Sequence, residues 1–583
     1  MIRNILILNM TRMGDLIQST PAISGLRKQY PSSHITLLVT SVFSDFSKRI
    51  PYIDEIVTFD IDQFEDKDQL NGIFWIRLYK YIETLLNSLK VQKYDLLINL
   101  SHSKLSALMI SYLKIINIRG FSCNATGDRV TQDPWMQYFG IEPFNRVVNP
   151  FNLVEIFTRS TGSSPEDNPI TIRQDCGAND SITEIISQHN IEDEDFLIGI
   201  QAGSSIKGRR WSTRAFAELA DGLVENHCAK IILFGVASEK ALAEEIISFA
   251  RYKDKLIDLT GKTSIGQLLT LVKRCNYLVT NDTGTMHIAA VVGTPIIGLF
   301  FAHAHPFETG PYSPGHLIFQ ARISCAPCSY GVECNDTVCV RKVLPDHLLS
   351  MIRIHEKDGK WTLPESMLGL DEVNIYNTHV GEDRRLRLRP LIKYPLGIND
   401  IFREIYADHW LDSLGVIKLY DSIPFNTLKN FLNDYDCRDV NNLSQLITER
   451  ISKLIDLKNL ANQGIFTVKE IIQLCSDKKL TEIVRLKVLA EKVQLVDEKI
   501  TLIGLTYLEL KPITDMFNKR KENFQGNDPA RLAIDTRKCY EHLLKEGEGL
   551  SRRLMLVLET LKTIENGNYQ AAVNSFSVEV PGK

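Results

Sequence analysis

Residues 277–292, YLVTNDTGTMHIAAVV, are the stretch from which the fold is read. Tyr277–Thr280 is a short apolar run and predicts a buried strand. Asn281-Asp282-Thr283-Gly284 is the turn after it, and Met286–Val292 predicts a helix of small apolar residues. Such a junction aims backbone N–H groups and a positive helix end at one spot, which suits a phosphate. Thr283 adds a hydroxyl, Gly284 lets the backbone approach closely, and Asp282 offers an acceptor to sugar hydroxyls. The expected ligand is the diphosphate of a nucleotide sugar.

Working outward, the whole chain repeats this rhythm. Ile5–Leu8, Ile35–Val39, Glu55–Phe59 and Leu96–Leu100 are short aliphatic runs separated by helical stretches such as Ile17–Tyr30 and Phe74–Leu89. Phe196–Gln201, Lys230–Phe234, Lys255–Leu259 and Pro295–Phe301 continue it on the C-terminal side, with helices at Phe216–Glu225 and Glu239–Phe249. Alternating strands and helices predict open parallel sheets, whose ligands sit at the carboxyl ends of the strands. Pro165 and Pro169 mark a crossover, so two doubly wound domains are expected, 1–165 and 166–355, facing a cleft. A mainly helical extension follows over 356–583.

The first strand end is Asn9-Met10-Thr11-Arg12-Met13-Gly14-Asp15. It lacks the GxGxxG dinucleotide fingerprint. Asp15 is either a helix-end carboxylate or a general base at the cleft. His102, in Ser101-His102-Ser103-Lys104, is either solvated or an acceptor contact, with Arg12 the other acceptor-side candidate. Gln201-Ala202-Gly203-Ser204-Ser205 is a small, flexible loop suited to phosphates. Lys207-Gly208-Arg209-Arg210-Trp211 brings three cations within four residues, of which Arg209 is the one expected to meet a leaving diphosphate, while Trp211 anchors the core. Glu239 either accepts from ribose hydroxyls or caps a helix.

Met10–Ile23 (MTRMGDLIQSTPAI), Gln201–Ala220 (QAGSSIKGRRWSTRAFAELA) and Val279–Phe300 (VTNDTGTMHIAAVVGTPIIGLF) together resemble glycosyltransferase family 9, the bacterial heptosyltransferases of the lipopolysaccharide core. The similarity covers about residues 1–355. It implies a GT-B fold of two Rossmann-like domains, with the N-terminal one binding acceptor and the second binding donor. The family's acidic base falls on Asp15. Its basic residue two before the Trp, commonly Lys, is Arg209 here. Its D-T-G-x-x-H motif falls on Asp282, Thr283, Gly284 and His287, and its acidic nucleoside ligand falls on Glu239. The implied chemistry is inverting transfer of a heptose-type sugar from a donor resembling ADP-heptose, with protein cations in place of a catalytic metal. The implied acceptor is a lipopolysaccharide core or another surface glycan. A protein acceptor reached through the extension, or a degenerate scaffold, is the alternative.

Size and charge narrow the remaining classes. A chain of 583 residues exceeds one core. A formal net charge of -4 argues against a general nucleic-acid binder. The first residues lead straight into a strand, so a cytoplasmic protein is expected, with peripheral contact at the inner membrane as its only membrane association. Of eleven cysteines, Cys325, Cys328, Cys334 and Cys339 cluster as C-x2-C-x5-C-x4-C. Four thiolates so close are candidates for a structural zinc or iron site, with free thiols or disulfides as alternatives.

In the extension, Arg384–Arg389 alternates basic and apolar residues like an edge strand. Leu457–Ile472 predicts a small helical hairpin turning at Gly464. Ile483, Leu486, Ala490, Val493 and Val496 fall near one helix face. Ile564–Phe576 resembles half of a TPR hairpin, in a single copy that supports no solenoid. The expected role of the region is interaction or oligomerisation through its helices.

Overall fold

The computed structural model describes residues 2–60, 72–124, 126–174, 181–415, 434–437, 439–476 and 483–565. Two compact units emerge: Met1–Arg119 with Phe151–Ile392, and Gly120–Pro150 with Lys393–Lys583.

The first unit holds two sheets. The N-terminal one is built from β1 (Asn4–Leu8), β2 (His34–Thr40), β3 (Glu55–Phe59), β4 (Leu96–Asn99) and β5 (Ile118–Gly120), in the order β3-β2-β1-β4-β5. The helices between them are α1 (Met13–Gln18), α2 (Thr20–Gln29), the single turn α3 (Ser44–Ser47), α4 (Gly72–Val91) and α5 (Lys104–Leu113). β1 pairs in parallel with β2 on one side and β4 on the other, Leu8 facing Leu38 and Asn99. Ile5 to Leu8 are buried, as a central strand covered on both faces must be. Pro21 stands in the first turn of α2, where its missing N–H costs no helical bond.

Within Gly120–Pro150 lie the short strands β6 (Ser122–Cys123) and β7 (Arg129–Val130) and helix α6 (Pro134–Ile141). α7 (Leu153–Ser160) and the six-residue α8 (Thr183–Gln188) lead into the second sheet. Its strands are β8 (Leu197–Gln201), β9 (Lys230–Phe234), β10 (Leu256–Asp258), β11 (Tyr277–Asn281), β12 (Ile296–Phe300), β13 (Leu317–Ala321), β14 (Val373–Val380) and β15 (Leu386–Pro390). The order is β10-β9-β8-β11-β12-β13-β14-β15. The helices are α9 (Thr213–His227), α10 (Lys240–Phe249), α11 (Ile265–Arg274), α12 (Gly284–Val292), the short α13 (Pro306–Thr309) and α14 (Val338–Lys342), and α15 (Pro345–Asp358).

β8 to β13 are parallel, whereas β14 and β15 form an antiparallel hairpin on the edge. The sheet therefore runs on to Pro390, past the boundary expected at 355. Trp361, beyond that boundary, is buried, donates from Nε1 to the Gly315 carbonyl at 2.8 Å and stacks on His355. Arg384–Arg389 does lead into the outermost strand, β15.

The second unit is mainly helical: α6 with α16 (Ile398–Leu414), α17 (Val440–Ser476), α18 (Ile483–Thr506), α19 (Lys511–Glu522) and α20 (Pro529–Glu565). One expectation fails here. α17 runs unbroken through Gly464, so there is no hairpin at that point. Gly464 serves close packing instead, since a Cβ there would lie 2.3 Å from Cζ of Tyr540. On α18, Val496 is buried and Leu486 and Val493 are partly covered, but Ile483 and Ala490 are exposed. The half-TPR stretch lies outside the described residues beyond Glu565. No described helix is long and apolar enough to cross a membrane.

Candidate active site

The turn after β1 is held from within. Asn9 is fully buried and donates from Nδ2 to the Asp15 carbonyl and to Ser19 Oγ, each at 3.3 Å. Thr11 donates its hydroxyl to Asn9 Oδ1. Asp15 sits in the first turn of α1, and its Oδ2 accepts from the Arg12 N–H at 3.3 Å. Burial pushes the Asp15 carboxyl above the ordinary aspartate value of 3.8, against hydrogen bonds from Arg12 and Thr11, and the Asp282 charge pushes the same way.

The turn after β11 is organised by Asn281, which sequence reasoning missed. Its Nδ2 donates to the Ala202 carbonyl at 2.8 Å and the Gly203 carbonyl at 3.3 Å, and its Oδ1 accepts from the Trp211 N–H at 3.1 Å. One buried amide thus fixes the β8 loop, the basic turn and the β11 turn together. Its only sequence signal was an Asn at the end of an apolar run.

Arg209 is buried and donates from Nη2 to the Asp282 carbonyl at 2.9 Å and to Asp282 Oδ2. Thr309 Oγ1 donates to the same Oδ2 at 3.1 Å. The Asp282 carboxylate is therefore engaged in holding Arg209, rather than standing open to sugar hydroxyls. The Nε of Arg209 and the hydroxyl of buried Ser204 have no protein partner. Arg210 pins the Ser204 carbonyl with two bonds, at 2.9 and 2.6 Å.

Thr283 is the N-cap residue of α12, yet its side chain makes no capping bond. It meets Thr280 Oγ1 at 3.1 Å. The amides of the first helical turn thus keep their positive end without a side-chain acceptor from the cap. His287 is buried and burial lowers its pKa to about 4, so it is neutral at pH 7; Nδ1 has no partner.

The β1 and β11 turns meet. A Cβ on Gly14 would lie 2.9 Å from His287 Cδ2, and one on Gly284 would lie 2.6 Å from Met13 Cε. Arg12 Nη1 donates to Ser205 Oγ at 3.2 Å. Asp15, Arg209, Asp282, Thr283, Gly284 and His287 are brought together. Arg12 faces the β8 loop. His102 is exposed in the loop after β4, whose neighbour Ser101 accepts from the Met10 N–H at 2.8 Å.

Glu239 occupies a separate part of the donor side. Its Oε2 accepts from Gln201 Nε2 and the Val236 N–H, both at 3.0 Å. Gln201 also accepts from Thr285 Oγ1 at 3.3 Å, which links Glu239 to the start of α12. Glu239 lines a pocket with Ile200, Ala202, Gly203, Leu233 and Thr260. A Cβ at 203 would fall 1.7 Å from Glu239 Oε1, so the bare glycine is what lets the Glu239 carboxylate lie where it does.

The expected metal ligands behave differently. All four cysteines are free thiols; Cys325 and Cys334 are exposed and Cys339 is buried. Cys334 Sγ turns to the Asp336 carbonyl at 3.1 Å. Burial raises the Cys339 thiol, with the Cys325 and Cys334 charges adding to it, so the three are neighbours. Yet among the described residues no three Cys, His, Asp or Glu side chains converge as metal ligands. As placed, the cluster does not fit the expected four-thiolate site. The loop buttresses the basic turn instead: the Cys328 N–H bonds the Ala302 carbonyl at 2.9 Å, and a Cβ on Gly208 would meet Ala302 and Thr337 at 3.8 Å.

Residues 82–337 match the family model described as glycosyltransferase family 9 (heptosyltransferase). Residues 82–337 are thus a glycosyltransferase family 9 region. The chain is a glycosyltransferase, and its two Rossmann-like sheets make the GT-B arrangement. The chain is 25% identical over 322 residues to lipooligosaccharide heptosyltransferase 2 of Haemophilus influenzae, covering 53% of this chain and 84% of that one. It is 23% identical over 316 residues to lipopolysaccharide heptosyltransferase 3 of Escherichia coli, covering 50% and 81%. Among solved structures, a family 9 glycosyltransferase from Veillonella parvula aligns with a TM-score of 0.49 at 23% identity, over 60% of this chain and 96% of that one.

Proposed function

We propose that this glycosyltransferase moves a heptose-type sugar, with inversion, from ADP-heptose to a hydroxyl of a lipopolysaccharide core or related surface glycan. The observation that carries the reading is the meeting of the Asp15 turn with the α12 N-terminus and the Arg209–Asp282 pair. A base therefore stands beside a built anion site. An acceptor hydroxyl attacks the anomeric carbon and passes its proton to an Asp15 oxygen. The bond to the diphosphate breaks, and the leaving group takes the electron pair. Its charge is met by the Arg209 guanidinium, the first-turn amides of α12 and the hydroxyls of Ser204 and Thr283. Neutral His287 contributes an N–H donor rather than a charge. Glu239 accepts from the ribose.

The reading requires no catalytic metal, since Arg209 and the helix end supply the positive charge. A structural metal on the cysteine loop is left out of it, because no three ligands converge. The acceptor belongs on the N-terminal sheet near Arg12 and His102. Peripheral contact with the inner membrane is supported by Trp75, Ile76 and Tyr79, exposed on α4 beside exposed Arg77 and Lys80. The scaffold reading is not favoured, given the family and the assembled site.

Calorimetry with ADP, UDP and GDP tests the donor side. ADP is expected to bind preferentially, more weakly to Thr283→Val and undiminished to Asp15→Asn. Failure of well-folded wild type to bind any of the three, or a preference for UDP or GDP, contradicts the reading.

A further inference from the structure

Gln201 ends β8, the strand that stands between β9 and β11 in the second sheet. From β8 the chain runs outward to β9 and β10 and then returns to the other side at β11, so β8 marks the place where the strand order reverses. Open α/β sheets bind their ligands at such a point. The turn after β9 carries Glu239, and the turn after β11 starts α12. Gln201 is buried and uses both ends of its amide to join the two. Nε2 donates to Glu239 Oε2 at 3.0 Å, and Oε1 accepts from Thr285 Oγ1 at 3.3 Å. A side chain that donates to a carboxylate and accepts from a hydroxyl at once must carry both groups, as an amide does and an aliphatic or ionised carboxylate does not.

The bonds are spread unevenly over Glu239. The Val236 N–H also goes to Oε2, at 3.0 Å, and among the described residues none donates to Oε1. One oxygen is anchored and the other is left for a ligand. We infer that Gln201 is a positioning residue for the donor: it turns the Glu239 carboxylate so that Oε1 receives the ribose hydroxyls, and it ties that carboxylate to the first turn of α12, where the diphosphate is held. Gln201 thereby sets the spacing between the nucleoside and diphosphate subsites without touching either group. The inference rests on the ribose and diphosphate assignments proposed above.

Calorimetry of the full chain with ADP and with dideoxy-ADP, which lacks both ribose hydroxyls, tests it. Wild type is expected to favour ADP at least about tenfold, since a hydrogen bond to a charged acceptor contributes that much. Glu239→Ala is expected to abolish the preference. Gln201→Met and Gln201→Glu are expected to cut it to about threefold or less, by weakening ADP while leaving dideoxy-ADP nearly unchanged. Gln201→Glu keeps the acceptor for Thr285 and removes only the donor to Glu239, so it stands in if the methionine variant fails to fold. Loss of the preference in Glu239→Ala but not in the Gln201 variants, or equal weakening of both nucleotides by those variants, overturns the inference and leaves the ribose reading intact. A wild type that binds both nucleotides equally overturns the ribose reading and the inference with it.

Discussion

Asp15 lies in the first turn of α1 with its carboxyl shifted by burial. Its carboxylate accepts from the Arg12 N–H at the start of α1, as the helix-end reading expects, and the general-base role is the one proposed for it. Its raised pKa has two consequences. The folded protein holds this proton more tightly than the unfolded chain, so the stability it contributes is present at low pH and is lost as pH rises through the folded pKa. Asp15→Asn is therefore expected to be at least as stable as wild type at pH 7, measured by thermal melts, with the difference narrowing in acid. The same variant should lose about 10²–10⁴-fold in turnover, the range of a removed general base. The acid limb of wild-type kcat/KM should lie above the ordinary aspartate value and vanish in the variant's residual activity. Gly203→Ala is expected to push Glu239 aside and raise KM for the donor several-fold with little change in kcat, read by steady-state kinetics.

At the scale of elements, the sheet hairpin β14–β15 is tied to α7 by a buried ion pair. Arg385 donates to Glu155 Oε1 from Nη2 at 2.9 Å and from Nε at 3.0 Å, and both residues are buried. Removing the Arg leaves Glu155 only the Asn152 N–H at 3.1 Å and Arg159 at 3.9 Å, so the cost lies below the about 3–5 kcal/mol of a fully unpaired buried charge. Arg385→Ala should lower the melting temperature by several degrees, whereas Arg384→Ala, whose partner Asp167 is exposed, should not. The parallel strands were legible because buried strands are continuous aliphatic runs, and β9 falls where its residues predict it. The hairpin's place in the sheet was not legible, since alternation marks an edge strand without naming its neighbour. Gly464 misled for a related reason: a helical glycine reads as a turn until the ring that needs its space, Tyr540, is known.

For the whole molecule, the motif residues announced the site because each stands at a strand end, where an open α/β sheet binds ligands. Its organisers, Asn9, Asn281 and Gln201, stayed silent: their role lies in which distant loops they bind, and no local pattern encodes that. The assignment of Asp282 shifted for the same cause, its carboxylate being engaged by Arg209 and Thr309. The cysteine spacing announced a cluster but not where each sulfur would point. The helical unit disclosed least, because amphipathic helices specify a covered face without specifying the partner.

The measurement that tests the central claim most directly is sugar transfer from ADP-heptose to a truncated lipopolysaccharide core, comparing wild type, Asp15→Asn and Arg209→Ala. Wild type is expected to transfer heptose with inverted configuration and either variant to transfer little, while ADP still binds Asp15→Asn. Transfer by Asp15→Asn at the wild-type rate, or no transfer by a wild type that binds ADP, would contradict that claim.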